Sequence, residues 1–255
     1  MLNGMSVEWA TLWATLATGL LGAGWAVWKW GRDRSRERLA ERTQLATRYV
    51  TPFLFACEDL QSRLYNLLCR SGLVPLRKRE NYRYAEETLF LVAQYFAYEP
   101  FILRYTPHGT DPIALGLMQR IREDFASDRF GVDPWCIFRP RQKALGQLVL
   151  ASRKGEQVTD VDVVTLLEFE ELIDTGQIDH LYMKDALTAL KEAADIYALP
   201  TATRERLSMI QSDLVDLLEY FEEKLAASSG KWHGGSRRQP ISLGGRKRER
   251  AHNMN

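Results

Sequence analysis

Arg139, Arg141 and Lys143 crowd into one short stretch around Pro140, a residue suited to the first turn of a helix. A helix start already concentrates positive charge, so three cations are out of place there and an anion would relieve them. Backbone N–H groups at the helix start, together with these side chains, suit a phosphate or a partner's carboxylate. The competing expectation is internal pairing with Glu123, Asp124 or Asp128, since surface ion pairs outnumber ligand sites.

A second concentration of chemistry-bearing residues is acidic: Glu168, Glu170 and Glu171, with Asp160, Asp162 and Asp174 around them. A di-iron site in a helical bundle requires Glu-x-x-His pairs facing inward, and none lies in this acidic stretch. The four histidines are scattered, with His108 in a turn, His180 at a helix start, and His233 and His252 near the C-terminus. A solvated acidic face is therefore expected, with no metal and no cofactor. Cys57, Cys69 and Cys136 lack CxxC spacing, which argues against a disulfide framework or a cysteine zinc site and for three core thiols in a reducing compartment. Gly-x-Ser-x-Gly, Walker-type and His-Glu-x-x-His motifs are absent. His108, with Arg104 and Asp111 on a Pro/Gly-rich turn, is the best remaining catalytic candidate, but capping and turn roles explain each of the three. No catalytic residue is assigned.

The stretch Tyr82, Tyr84, Phe90, Tyr95, Phe96, Tyr98, Phe101 and Tyr105 could line a groove for a partner helix or an apolar ligand. At helical spacing such a stripe is more often core. Near the C-terminus, Arg237, Arg238, Arg246, Lys247, Arg248 and Arg250 are interleaved with glycine, which suits nonspecific attraction to phosphates of lipid or nucleic acid, or a merely solubilising tail.

The elements that must position these groups begin with a membrane segment. Between Glu8 and Lys29 lie twenty uncharged residues, Trp9 to Trp28, enough helix for roughly 30 Å of hydrocarbon. Trp9 and Trp13 mark one end, and Trp25, Trp28 and Trp30 the other, as indole rings do at the two headgroup levels. A cleaved signal peptide would need a basic n-region, and residues 1–8 have no Lys or Arg. A retained single-pass anchor over 9–30, after a short flank 1–8, is the reading. Lys29, Arg32, Arg34, Arg36, Arg38 and Arg42 follow it, so the positive-inside rule places the C-terminal side in the cytoplasm. Small residues recur on two stripes, Ala14, Thr18, Gly22 and Thr15, Gly19, Ala23, where a second copy of the helix could approach closely.

The chain has 255 residues, 45% of them apolar, which supports a folded domain and excludes wholesale disorder. Its formal charge of +1 hides a segregation, with +4 over residues 29–50, −8 over 51–230 and +6 over 231–255. A long stalk helix is expected from Arg32 into the sixties, on a seam of Leu39, Ala46, Phe53, Leu60 and Leu67 with Val50, Cys57 and Leu64. Pro52 removes a backbone donor, so a kink belongs at Arg48 to Thr51.

Further helices are expected over Tyr82 to Tyr98, stopping near Pro100 with a short turn at Phe101 to Tyr105. The next starts at Asp111-Pro112 with an apolar face of Ile113, Leu117, Ile121 and Phe125. Pro140 opens one through Leu150, Thr159 or Asp160 caps one that runs to Ile173 and is ended by Gly176, and Asp179 caps one that runs to about Leu199. Thr201 or Thr203 starts the last, with a seam of Leu207, Ile210, Leu214, Leu217, Phe221 and Leu225.

No run of alternating residues competes with this series. The expected architecture is all-α: an N-terminal single transmembrane helix, a helical stalk within a multi-helix, bundle-like cytoplasmic domain over 31–227, and a disordered basic tail over 228–255. The expected function is a membrane-anchored interaction or scaffold module without catalysis, acting with a protein partner. One alternative is a ligand-responsive regulator or enzyme using Arg139, Arg141 and Lys143. Another is polyanion binding by the tail, with anionic lipid favoured over nucleic acid because the leaflet is the nearest polyanion.

Overall fold

A computed structural model describes residues 46–69, 83–106, 111–131, 133–150, 163–178, 183–196 and 198–229, together with 25, 28–30, 32–34 and 44. The chain divides into two compact units, Met1–Thr47 and Arg48–Asn255. In the first, the described positions 25, 28–30, 32–34 and 44 are all helical. Among the described residues no helix is long and apolar enough to cross a membrane. Residues 9–24 of the expected anchor, both small-residue stripes and residues 230–255 of the expected tail lie outside them, while positions 228 and 229, expected as tail, belong to the last helix.

A π-turn, Ala46–Val50, opens the helical domain, followed by α1 Thr51–Leu68, α2 Arg83–Tyr105 and α3 Pro112–Ala126. A 3-10 turn, Asp128–Phe130, leads to α4 Arg139–Leu148. Then come α5 Leu166–Asp174, α6 Met183–Ile196 and α7 Thr201–Ser229. Among the described residues there is no strand, only an isolated bridge between Leu150 and Val163, and the all-α expectation is met.

The π-turn stands where the sequence places a kink. Proline at 52 has no N–H for the carbonyl of Arg48, and the helix absorbs the lost bond by widening one turn. Tyr49, carried on that turn, stacks on Phe101 and Tyr105 of α2, with centroids 5.9 and 5.5 Å away.

Helix α1 lies between α2 and α7, α3 packs on α7, and α4 packs on α2. The stalk seam is core, since Val50, Phe53, Cys57, Leu60, Leu64 and Leu67 are all buried. So is the seam of α7 from Leu207 to Phe221. Phe53 touches Tyr95 and Phe221, and Phe96 meets Phe125 edge-on at 5.1 Å, so one aromatic chain joins α1, α2, α3 and α7. The aromatic stripe of α2 is thus core at Tyr95 and Phe96, while Tyr105 stays exposed.

Several expected boundaries are corrected. Helix α2 does not stop near Pro100 but runs through it to Tyr105. The carbonyl of Phe96 loses its N–H partner to the proline, and Gly146 of α4 packs directly on that carbonyl. A Cβ at Gly146 would lie 2.4 Å from the Phe96 oxygen. The apolar face of α3 runs through Ala114, Leu117, Met118, Ile121 and Phe125, leaving Ile113 exposed one step off it.

Thr165, not Thr159 or Asp160, caps α5. Its hydroxyl accepts from Glu168 N–H, and Glu168 accepts from Thr165 N–H, a reciprocal capping box. Gly176 does end α5, with φ of 73° and the paired Gly176-to-Ile173 and Gln177-to-Leu172 bonds of a Schellman turn. Of the three thiols only Cys57 is buried. Cys69, which ends α1, is exposed.

Candidate functional site

The segment between α3 and α4 is held by a buried polar network centred on Asp133. Arg206 of α7 is fully buried, and its Nε donates to Asp133 Oδ2 at 2.5 Å. The other two nitrogens donate to the carbonyls of Asp124, Phe125 and Ser127, which the end of α3 leaves without helical partners. Asp133 also accepts from Thr203 Oγ1 at 2.8 Å and from Trp135 N–H at 3.0 Å. This network is a staple: it ties the start of α7 to the end of α3 and sinks Trp135 into the core.

Glu99 offers the best site for binding or reaction. It sits one residue before Pro100 on α2 and is 3% exposed. Arg122 of α3 faces it, Nε to Oε1, at 3.7 Å, long for a hydrogen bond. Glu99 Oε1 and Arg122 Nε are buried, and neither makes a hydrogen bond with any described residue. Arg139, at the start of α4, completes a cleft of about 150 Å³ lined also by Leu103, Leu115, Met118 and Gln119. Burial pushes the Glu99 carboxyl up to about 7, although the Arg122 and Arg139 charges both pull it down. A proton held there near neutrality makes Glu99 able to donate or accept, a property surface carboxylates lack.

This shift has a consequence for stability. A carboxyl raised from 4.5 to about 7 binds more protons folded than unfolded, so stability falls as pH rises between those values and levels off above about 7. At about 1.4 kcal/mol per pH unit, the burial cost approaches about 3 kcal/mol in alkali. Glu99→Gln is expected to unfold at higher urea than the parent at pH 8, with the difference shrinking toward pH 5. Equal midpoints at pH 8 would mean that the carboxylate is adequately solvated.

A larger cleft of about 460 Å³ opens beside the end of α3, lined by Arg120, Glu123, Asp124, Arg129 and Asp213 among others. Its charges are matched internally. Arg129 pairs with Asp124, and Arg120 bridges Asp213 at 3.4 Å and Asp216 at 3.5 Å.

The structure does not gather the three cations of the α4 start at one place. Arg139 bonds Glu123 Oε1 at 3.2 Å and is the one of the three that lines the Glu99 cleft. The Arg141 guanidinium lies 5.8 Å from the ring centroid of Phe138, and Lys143 is exposed. The inward residue of that run is Gln142, whose amide donates to the carbonyls of Arg122 and Ile137 at 2.8 Å each.

Asp111 caps α3 through Ile113 and Ala114 N–H and accepts from Tyr220, whose hydrogen bond holds its carboxyl below the ordinary range. His108 lies outside the described residues, as do His180, Asp160, Asp162 and all six tail cations. Glu168 serves the capping box, Glu170 faces Arg83 at 3.7 Å, and no cluster able to hold a metal occurs among the described residues.

Sequence reading passed over Glu99, Arg122, Asp133 and Arg206. Two signals were available. Glu99 is the lone carboxylate in the run Leu89 to Leu103, and Arg206 shares a heptad stripe with Thr203, Ile210 and Leu217. No family model, curated protein or solved structure matches the chain.

Proposed function

We propose that the protein is a single-pass, membrane-anchored helical interaction module whose domain, Arg48 onward, lies on the cytoplasmic side and holds or positions a protein partner. One observation carries this reading: the uncharged stretch from Trp9 to Trp28, bounded by Glu8 and Lys29 and marked with tryptophan at both ends. Further support comes from the described helical positions at its C-terminal end. Trp25, Trp28 and Trp30 are 61%, 57% and 61% exposed. Each carries a cation four residues on, with Lys29, Arg32 and Arg34 placed 5.2, 4.6 and 4.2 Å from the respective ring centroids. Exposed indole paired with cation suits a headgroup layer, where an apolar ring and a charge both find partners. The basic residues from Arg237 to Arg250 would add attraction to the same anionic leaflet, at up to about 1 kcal/mol for each charge close to it.

The full-length chain is expected to remain with membranes through high salt and alkaline carbonate, whereas residues 32–255 alone are expected in the soluble fraction. Release of the full chain by carbonate would overturn the anchor.

A further inference from the structure

We propose that the cleft between α2, α3 and α4 binds a short-chain carboxylate anion, with its carboxylate between Arg122 and Arg139 and its carbons on Leu103, Leu115 and Met118. Glu99, in its protonated form, donates a hydrogen bond to the bound carboxylate. The inference is independent of the anchor and concerns a site that membrane attachment does not require.

Two observations carry it. Glu99 and Arg122 both line the cleft, facing each other at 3.7 Å, and Glu99 Oε1 and Arg122 Nε make no hydrogen bond with any described residue, where most buried polar atoms would be satisfied. The cleft lining also combines what a small amphipathic anion would need, two guanidinium groups and three apolar side chains. A volume of about 150 Å³ matches a ligand of benzene size, which corresponds to a carboxylate with about three or four carbons. Leu115 is 40% exposed at the rim, so the cleft is reachable from solvent.

The local charges determine the proton linkage. Glu99 is faced by Arg122 from α3 and Arg139 from α4, and Arg139 is itself held by Glu123. Tyr95, on α2, has its ionisation pushed up by burial and by the nearby Glu99 charge, with Asp213 of α7 adding to it, so it stays neutral beside the site. With Glu99 ionised, a second carboxylate meets a like charge. With Glu99 protonated, it meets a donor and two cations. Anion binding therefore takes up a proton, and affinity falls as pH rises through 7.

The test uses the full-length chain in an uncharged detergent, with butyrate as probe and butyramide and inorganic phosphate as comparisons, followed by titration calorimetry. Saturable butyrate binding is expected, roughly tenfold tighter at pH 6 than at pH 8 because the protonated fraction of Glu99 falls about that much. Butyramide is expected not to bind. Glu99→Gln, which keeps a donor and cannot ionise, should bind with the same affinity at both pH values. Arg139→Met, at a half-exposed position that the fold does not depend on, should weaken binding about tenfold or more. Carbon-13 NMR of the Glu99 carboxyl should show its titration moving to higher pH when butyrate is added.

Absence of saturable butyrate binding at both pH values would overturn the site. Phosphate binding as tightly as butyrate would overturn the carboxylate assignment, and an unchanged pH slope in Glu99→Gln would overturn the role of Glu99. Because the readouts are binding and titration, failure here leaves membrane extraction unaffected, and the two readings stand or fall separately.

Discussion

Arg206→Met is expected to destabilise the helical domain by about 3–5 kcal/mol, the range for removing one partner of a buried ion pair. The side chain is 0% exposed, so its loss strands more than a charge. Asp133 would remain buried with only Thr203 and the Trp135 N–H as donors, the carbonyls of Asp124 and Ser127 would each lose a guanidinium donor, and that of Phe125 would keep only the Ile137 N–H. Buried acceptors without donors cost roughly 1–3 kcal/mol each, which is why methionine's similar volume does not rescue the site. Adding Asp133→Asn to Arg206→Met should recover part of the loss by removing the orphaned charge. Urea unfolding followed by helical circular dichroism measures both, and a loss under about 1 kcal/mol in the single variant would show that Arg206 is not the staple between α3 and α7.

Gly146→Val is expected to cost about 3 kcal/mol, at the upper end for overpacking, because what it meets is backbone. A Cβ at 146 would stand 2.4 Å from the Phe96 oxygen, 2.6 Å from its carbon and 2.9 Å from the Ala97 nitrogen, and none of these can swing away as a side chain end could. Helix α4 would have to retreat from α2, uncovering Leu145 and widening the Glu99 cleft at Arg139. Gly116→Ala is the control of opposite sign. A Cβ there meets nothing within 4 Å, so the helix propensity of alanine should stabilise α3 by about 0.5–1 kcal/mol. Thermal melts of the two variants should therefore move apart, and a Gly146→Val melt at or above that of the parent would remove the close crossing of α2 and α4 from the account.

Much of the helical frame was legible because apolar spacing is a property of each helix by itself. The seams of α1 and α7, the Asp111-Pro112 start and the Gly176 stop depend on groups within a few residues of one another. Pro52 predicted the right place for a break, and the fold resolved it as a π-turn. One boundary differs because a distant partner decides it, and another although the signal is local. Pro100 reads as a helix end locally, yet the helix runs on, and the glycine packed against the freed Phe96 carbonyl is 46 positions from Pro100 on α4. Thr165 and Glu168 form a capping box that was present in the sequence and was passed over in favour of Thr159 or Asp160.

The candidate site was legible only at Arg139. Its neighbours Arg141 and Lys143 share the sequence run but not the cleft lining, Arg141 because it points about 200° around the helix from Arg139, and Lys143 because it sits one turn further along. Glu99 and Arg122 come from two other helices, so no spacing in the sequence links them. The Arg206 and Asp133 pair spans 73 positions and is hidden for the same reason.

The proposed anchor, with the domain on its cytoplasmic side, is tested most directly at Cys69, which is exposed at the end of α1 while Cys57 is buried. In a Cys136→Ser background, sealed vesicles of both orientations are treated with a membrane-impermeant maleimide, quenched and then extracted with alkaline carbonate, and the chain remaining in the pellet is weighed by mass spectrometry. The account predicts a chain that stays in the pellet, gains one label on Cys69 in inverted vesicles and gains none in right-side-out vesicles until detergent is added. Labelling of Cys69 in sealed right-side-out vesicles, or a chain found in the carbonate wash, would contradict it.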